Sequence, residues 1–193
     1  MRRAERRRET RETRVAASLT LDGRGEIEIE TGVGFLDHLL TALAVHAGFD
    51  LRLHAKGDLE IDDHHTAEDC AIVLGELLRE ALGNRRGIAR FGHAFAPMDE
   101  ALARAAVDLS GRPHATIALG LRRERLGTLS CENVPHVLAT LAQRAAMALH
   151  VDVLRGDNDH HRAEAAFKAT ALALRQAVAR TGSDRIPSTK GVL

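Results

Sequence analysis

The chain has no tryptophan and no tyrosine, and its aromatic content is 3%. Stacking platforms for nucleobases, which single-strand binders build from such rings, have little to draw on. Net charge is absent as well. Lys plus Arg and Asp plus Glu balance at 27 each, so no basic field draws the chain to nucleic acid. Cysteine is nearly missing: Cys70 and Cys131 stand far apart in a chain without a secretory signal and read as reduced thiols of a cytoplasmic protein. No apolar run approaches the roughly 20 residues of a membrane span, so no membrane partner is expected. The start of the chain carries Arg2, Arg3, Arg6, Arg7 and Arg8 but no apolar core, which excludes a signal peptide. Up to residue 9 it reads as a frayed basic terminus. The remaining composition, 45% hydrophobic and 28% charged over 193 residues, suits one sizeable soluble domain or two halves sharing a core.

Histidine is what the chain has in quantity: 11 residues, four of them in two adjacent pairs. They mark a duplication. Residues 10–32 alternate apolar and polar around Asp22-Gly23 and read as a β-hairpin. Residues 35–47 have helical spacing, 49–56 read as a strand, and a helix runs from Asp62 or Asp63, good N-cap residues, to about Leu82. The order then recurs. Strands are expected at 101–109 and 114–122, a helix at 133–148, a strand at 149–155 and a helix at 158–180. A shift of 96 positions puts His54 on His150, His64 on His160, His65 on His161 and Glu68 on Glu164; with two residues gapped, His38 falls on His136. The expectation is an α/β (α+β) domain of two ββαβα halves, sheets backed by helices. The halves cover roughly 10–92 and 93–181, with a C-terminal loop at 182–193.

The repeated motif is His-His-x-x-Glu, at 64–68 and at 160–164. Residues i and i+4 share a helix face, about 5–6 Å apart at Cβ, so His64 with Glu68 grips one ion and His160 with Glu164 another. Adjacent residues are turned about 100° apart, so His65 and His161 point to the opposite ion. The economical solution is reciprocal: His64, Glu68, His161 and His136 at one ion, His160, Glu164, His65 and His38 at the other. Three imidazoles and one carboxylate leave an octahedral ion two open positions, the mark of a catalytic site. Ligand type alone permits Zn, Fe or Mn. Singly, His46, His93 and His114 read as ordinary solvated histidines.

The chain resembles the imidazoleglycerol-phosphate dehydratase family. The resemblance is carried by Arg11-Glu12-Thr13, Leu21-Asp22-Gly23, Phe35-Leu36-Asp37-His38, the run from Gly57 to Asp69, Gly87–Gly92, Pro97–Ala101, Asp108–Pro113, the 160–168 run ending Phe167-Lys168, and Pro187–Gly191. These segments span nearly the whole chain. The resemblance implies two manganese ions per active site and no organic cofactor. It also implies a ribosomal-S5-like fold duplicated in one chain, and a large cubic homo-oligomer of 24 subunits with sites assembled between them. The segment Cys131–His136 departs from the family in lacking paired aromatics before the histidine.

The implied reaction is dehydration of imidazoleglycerol phosphate to imidazole-acetol phosphate in histidine biosynthesis. No carbonyl neighbours the proton to be lost. Metal binding to the ring nitrogens favours the imidazolate, and the electron-rich ring expels the adjacent hydroxyl. The neighbouring proton then becomes acidic, and its loss gives an enol that tautomerises to the ketone. Candidate catalytic residues are Glu12, carried over from the family motif for proton transfer, with His38, His64, Glu68 and Glu164. Arg90, Arg112, Lys168, Ser188 and Lys190 are candidates for phosphate, and Glu12 and His46 join them as substrate contacts. The C-terminal loop, with Gly182, Ser183 and Pro187 and no apolar stripe, is expected to be mobile when empty and to order over bound phosphate. The competing readings are a two-metal hydrolase of a phosphate ester or amide, an RNA-binding domain and a metal-storage assembly.

Overall fold

The arginine-rich start of the chain is a strand, not a frayed end. In the computed structural model, which describes residues 2–191, β1 spans Arg3–Glu9 and pairs antiparallel with β2, Thr13–Thr20. Its charges have partners. Arg6 reaches Glu76 (3.3 Å) and Glu80 (3.2 Å), and Arg8 reaches Asp69 (2.8 Å). All three acids lie on α2, His64–Leu82. Arg2, buried, donates to the Val178 carbonyl and pairs with Asp22. A run of arginines that reads as a frayed terminus is thus a strand clamped by acids more than 60 residues away.

After β2 come β3 (Ile27–Glu30), α1 (Gly34–Ala47), β4 (Asp50–Gly57) and α2. The second half runs β5 (Phe91–Met98), β6 (Ala101–Asp108), β7 (His114–Ala118), a small hairpin of β8 (Arg125–Leu126) and β9 (Leu129–Ser130), α3 (Asn133–Arg144), β10 (Ala148–Arg155) and α4 (Asp159–Ala177). The sheets have matching orders, β1-β2-β4-β3 and β5-β6-β10-β7. In each, the last strand is parallel to its neighbour and the other pairings are antiparallel. Parallel neighbours need a crossover, and α1 and α3 supply it. The duplication expected from the histidines is therefore present, with one strand more at the start of each half.

The expected hairpin over 10–32 is not formed. β2 and β3 are separated by β4. The Asp22-Gly23 turn instead lays its chain against β4, where the Asp50 carboxylate accepts the amides of Arg24 (2.6 Å), Gly25 (2.8 Å) and Glu26 (2.9 Å). β5 lies in a stretch where no element was expected; its first six residues are largely exposed or half-buried, so its apolar pattern is weak.

The helix expected over 133–148 stops at Arg144. Ala146 adopts φ 50°, its amide bonds the Gln143 carbonyl, and the Met147 amide bonds that of Ala142. This is a Schellman stop. The first half uses the same one, with Gly48 at φ 72° and bonds from Gly48 to Val45 and Phe49 to Ala44. The sequence hid the second stop because alanine stands where glycine is usual. The guanidinium of Arg85, buried, takes the Ala145 and Ala146 carbonyls at 2.8 and 3.0 Å.

The halves join helix to helix. α2 packs on β1 and β2, α4 on β5 and β6, and across the halves α1 packs on α4 and α2 on α3. The helices therefore lie between two outer sheets. The inner strands bury alternate residues toward them, as Leu51 and Leu53 of β4 do while Arg52 and His54 face out. This crossed packing carries His38 and His136 out of their own halves.

Candidate metal centre

Both His-His pairs open a helix. The Asp62 carboxylate accepts the His64 amide (2.8 Å), and the Asn158 side chain accepts the His160 amide (2.9 Å). These equivalent side chains cap the two helices. Asp63, the other expected cap, makes no capping bond. Its buried carboxylate instead accepts the Ser130 amide and hydroxyl, both at 2.7 Å, and the Asn133 side-chain amide at 2.9 Å. Burial alone would raise its pKa; these bonds hold it below the ordinary carboxylate value. Asp159, its counterpart, accepts the Arg122 and Arg123 amides at 2.7 Å. The insert between β7 and α3 thus clamps the starts of both helices.

Two groups form among the described residues: His38, His160 and Glu164, and His64, Glu68 and His136. In each, one atom per residue lies within 4.8 Å of the others. The His38 and His160 Nε2 atoms are 3.0 and 3.2 Å from Glu164 Oε2. His136 Nε2 is 3.2 Å from Glu68 Oε1, and the His64 and His136 rings stack at 4.9 Å. Glu164 is buried, which alone would raise its pKa, yet Lys168 (2.7 Å) and His38 bring it down to about 2. Imidazole nitrogens converging on an ionised carboxylate suit a divalent transition ion.

His65 and His161 join neither group within the chain. His65 Nδ1 is 3.1 Å from Asp58, and His161 Nδ1 is 2.7 Å from Glu100. These carboxylates raise both imidazole pKa values, through the hydrogen bond first. Glu100 is lowered to about 2 by the Asn158 amide and by His161. Each ring is oriented through Nδ1, leaving Nε2 directed elsewhere. Glu12, in the β1–β2 turn, has a carboxylate oxygen 3.9 Å from His65 Nε2. His46 is half-buried on α1, two turns beyond His38; burial lowers its pKa, Lys168 adds to this, and Glu164 opposes it.

The cations divide. Lys168 sits on Glu164 and 3.3 Å from Met98 Sδ. Arg90 lies at the other end of β5. Its guanidinium grips Asp108 at 2.7 and 3.1 Å, takes the Pro187 carbonyl at 2.7 Å and lies 4.6 Å over the Phe91 ring. Arg112 is in the turn after β6, exposed, and bonds the Ser110 carbonyl at 3.4 Å. Ser188 Oγ accepts the Lys190 amide at 3.2 Å. Arg90 and the Pro187–Lys190 turn thus meet at one corner, and Arg112 follows four residues after the Asp108 that Arg90 holds. The Arg90 amide bonds the Ala177 carbonyl, and α4 rises about 20 Å from Glu164 to there. Within one chain the corner is remote from that metal group. Residues 192 and 193 of the expected C-terminal loop lie outside the described residues.

Sequence reasoning missed the side chains that orient the imidazoles: Asp58, Asp63, Glu100 and Asn133. Asp58, Asp63 and Glu100 stand inside motif segments and could have been suspected as partners. Asn133 had no sequence signal, because it meets His64 only through the packing of α3 on α2.

Fold and groups together define a class of internally duplicated α/β proteins in which two His/Glu groups that could each hold a metal ion are assembled across the halves. A family model described as imidazoleglycerol-phosphate dehydratase matches residues 31–174. An imidazoleglycerol-phosphate dehydratase of Schizosaccharomyces pombe is 51% identical over 216 aligned positions, covering 100% of each chain. One of Eremothecium gossypii is 62% identical over 167, covering 86% of this chain and 76% of the relative. Among solved structures, the Staphylococcus aureus dehydratase superposes with a TM-score of 0.84 at 38% identity, covering 93% of this chain and 99% of its own. The Pyrococcus furiosus dehydratase gives 0.84 at 39%, covering 97% and 100%. The chain belongs to the imidazoleglycerol-phosphate dehydratase family. Among the described residues no helix is long and apolar enough to cross a membrane.

Proposed function

We propose that the two His/Glu groups hold two manganese ions per active site, in the service of the family's reaction. That reaction is the dehydration of imidazoleglycerol phosphate to imidazole-acetol phosphate in histidine biosynthesis, and the chain is a hydro-lyase. The observation that carries the metal reading is the meeting of His38 with His160 and Glu164, and of His136 with His64 and Glu68, across the halves. When bound, the ions act as Lewis acids that favour the deprotonated substrate ring.

The chain's own residues do the rest. Glu12, on an exposed turn beside His65, moves the proton between the reacting carbon and solvent. Glu12→Gln is expected to cut turnover at least 100-fold with metal content unchanged; normal turnover would remove Glu12 from the reaction. His65 and His161, held through Nδ1 by Asp58 and Glu100, present Nε2 to groups on other copies. His161 completes the His64 group and His65 the His160 group. The phosphate is bound by Arg90, Arg112, Ser188 and Lys190, whose remoteness from Glu164 in one chain favours supply from another subunit. Arg90 keeps N–H donors beyond its three bonds to Asp108 and Pro187. Lys168 and His46 contact substrate beside Glu164, and the C-terminal loop closes over the phosphate. A cubic homo-oligomer of 24 copies supplies these interfaces, and a cytoplasmic setting fits two reduced thiols.

The test follows ketone and free phosphate together, with chelator-stripped protein before and after manganese is restored. Ketone formed only with metal, and no phosphate released, supports the reading. Phosphate release would point to a two-metal hydrolase instead.

A further inference from the structure

The duplication makes each metal group a control for the other, and they differ in what stands behind the ligands. His64 Nδ1 lies 2.9 Å from Asn133 Oδ1, and Asn133 Nδ2 donates to Asp63 at 2.9 Å. Asp63 is 4% exposed, and both its oxygens are occupied, by Ser130 and Asn133. The amide nitrogen must face that carboxylate, so the amide oxygen faces the ring. Nδ1 therefore carries the proton, and Nε2 keeps the lone pair a metal needs.

The shift of 98 that superposes His38 on His136 puts Phe35 where Asn133 stands. The Phe35 ring meets His160 edge-on at 4.9 Å, and among the described residues no hydrogen bond fixes His160 Nδ1. One oxygen of Asp159, the counterpart of Asp63, is buried with no hydrogen-bond partner among the described residues, only the Arg162 guanidinium 4.0 Å away. Glu164 also shares its other oxygen with Lys168 at 2.7 Å, a position held in the first half by Ile72. A fixed cation on that carboxylate opposes a second cation there.

We infer that Asn133 is a positioning residue that makes the His64–Glu68–His136 group the tighter of the two metal sites, an inference that rests on the metal reading above. The test titrates manganese-loaded full-length protein with a chelator and counts retained ions by electron paramagnetic resonance. Wild type is expected to release its manganese in two steps of equal amplitude. Asn133→Ala should move the tighter step at least about 10-fold toward the weaker, leaving the weaker step in place. Asn133→Leu keeps the branched outline of the side chain while deleting the hydrogen bond, and should do the same if the alanine variant folds poorly. Release in a single step from wild type would overturn the inference. So would equal weakening of both steps, or no change, in a folded variant. Fewer than two ions bound per chain would overturn the metal reading and this inference with it.

Discussion

Alanine at position 146 pays for a stop that its counterpart makes at no steric cost. A left-handed residue with a Cβ costs about 1–2 kcal/mol, and Ala146 sits at φ 50° where the first half has Gly48. Ala146→Gly is expected to stabilise the chain by about 1 kcal/mol, read as a higher midpoint in thermal or denaturant unfolding. At Asp50, burial alone would push the carboxyl pKa up, but the amides of Glu26, Arg24 and Gly25 hold it below the ordinary value. A depressed carboxylate contributes stability that is present above its unfolded pKa, near 3.8. That stability is lost as pH falls through the folded value. Asp50→Asn should thus be less stable than wild type at neutral pH, with the gap narrowing under acid; a gap independent of pH would refute the charge-assisted bonds.

At the scale of elements, α2 and α3 bring His136 to His64 and Glu68, and they can do so only because Gly75 lets them touch. A Cβ there would lie 2.6 Å from Arg144 Cβ and 2.7 Å from the Leu141 carbonyl. Gly75→Leu should push the helices apart, cost about 1–3 kcal/mol as overpacking does, and lower metal retention at that group alone. Unchanged retention in a folded variant would show that the crossing is not what sets the ligand geometry. The helix registers themselves were legible, because long amphipathic runs report their own period. The strand pairings were not. Alternation in residues 10–32 reveals two strands but not that β4 comes between them, since a period of two is the same for any neighbour.

For the whole molecule, each His/Glu group gathers three residues within one chain, and the fourth ligand proposed for each comes from another copy. Subunits carrying His64→Ala and His161→Ala, each inactive alone, should regain part of the activity when unfolded together and reassembled. An interface pairing the intact group of one with the intact histidine of the other restores a complete site. No recovery in mixed assemblies would refute closure between copies.

The sequence by itself determined the duplication, the helix-start motifs and the histidines and glutamates that the fold gathers into two groups, because each is a local pattern repeated at a constant spacing. It also paired His136 with His64 and His38 with His160. What only the tertiary structure decided depends on elements meeting across the chain. The arginine run became a strand because acids on α2 meet it, and β5 formed beside β6. Asn133 and Asp63 came to stand behind His64 because α3 packs on α2 and the insert folds over both helix starts. Such contacts leave no periodic trace in a single chain, since they pair residues whose separation in sequence carries no regularity.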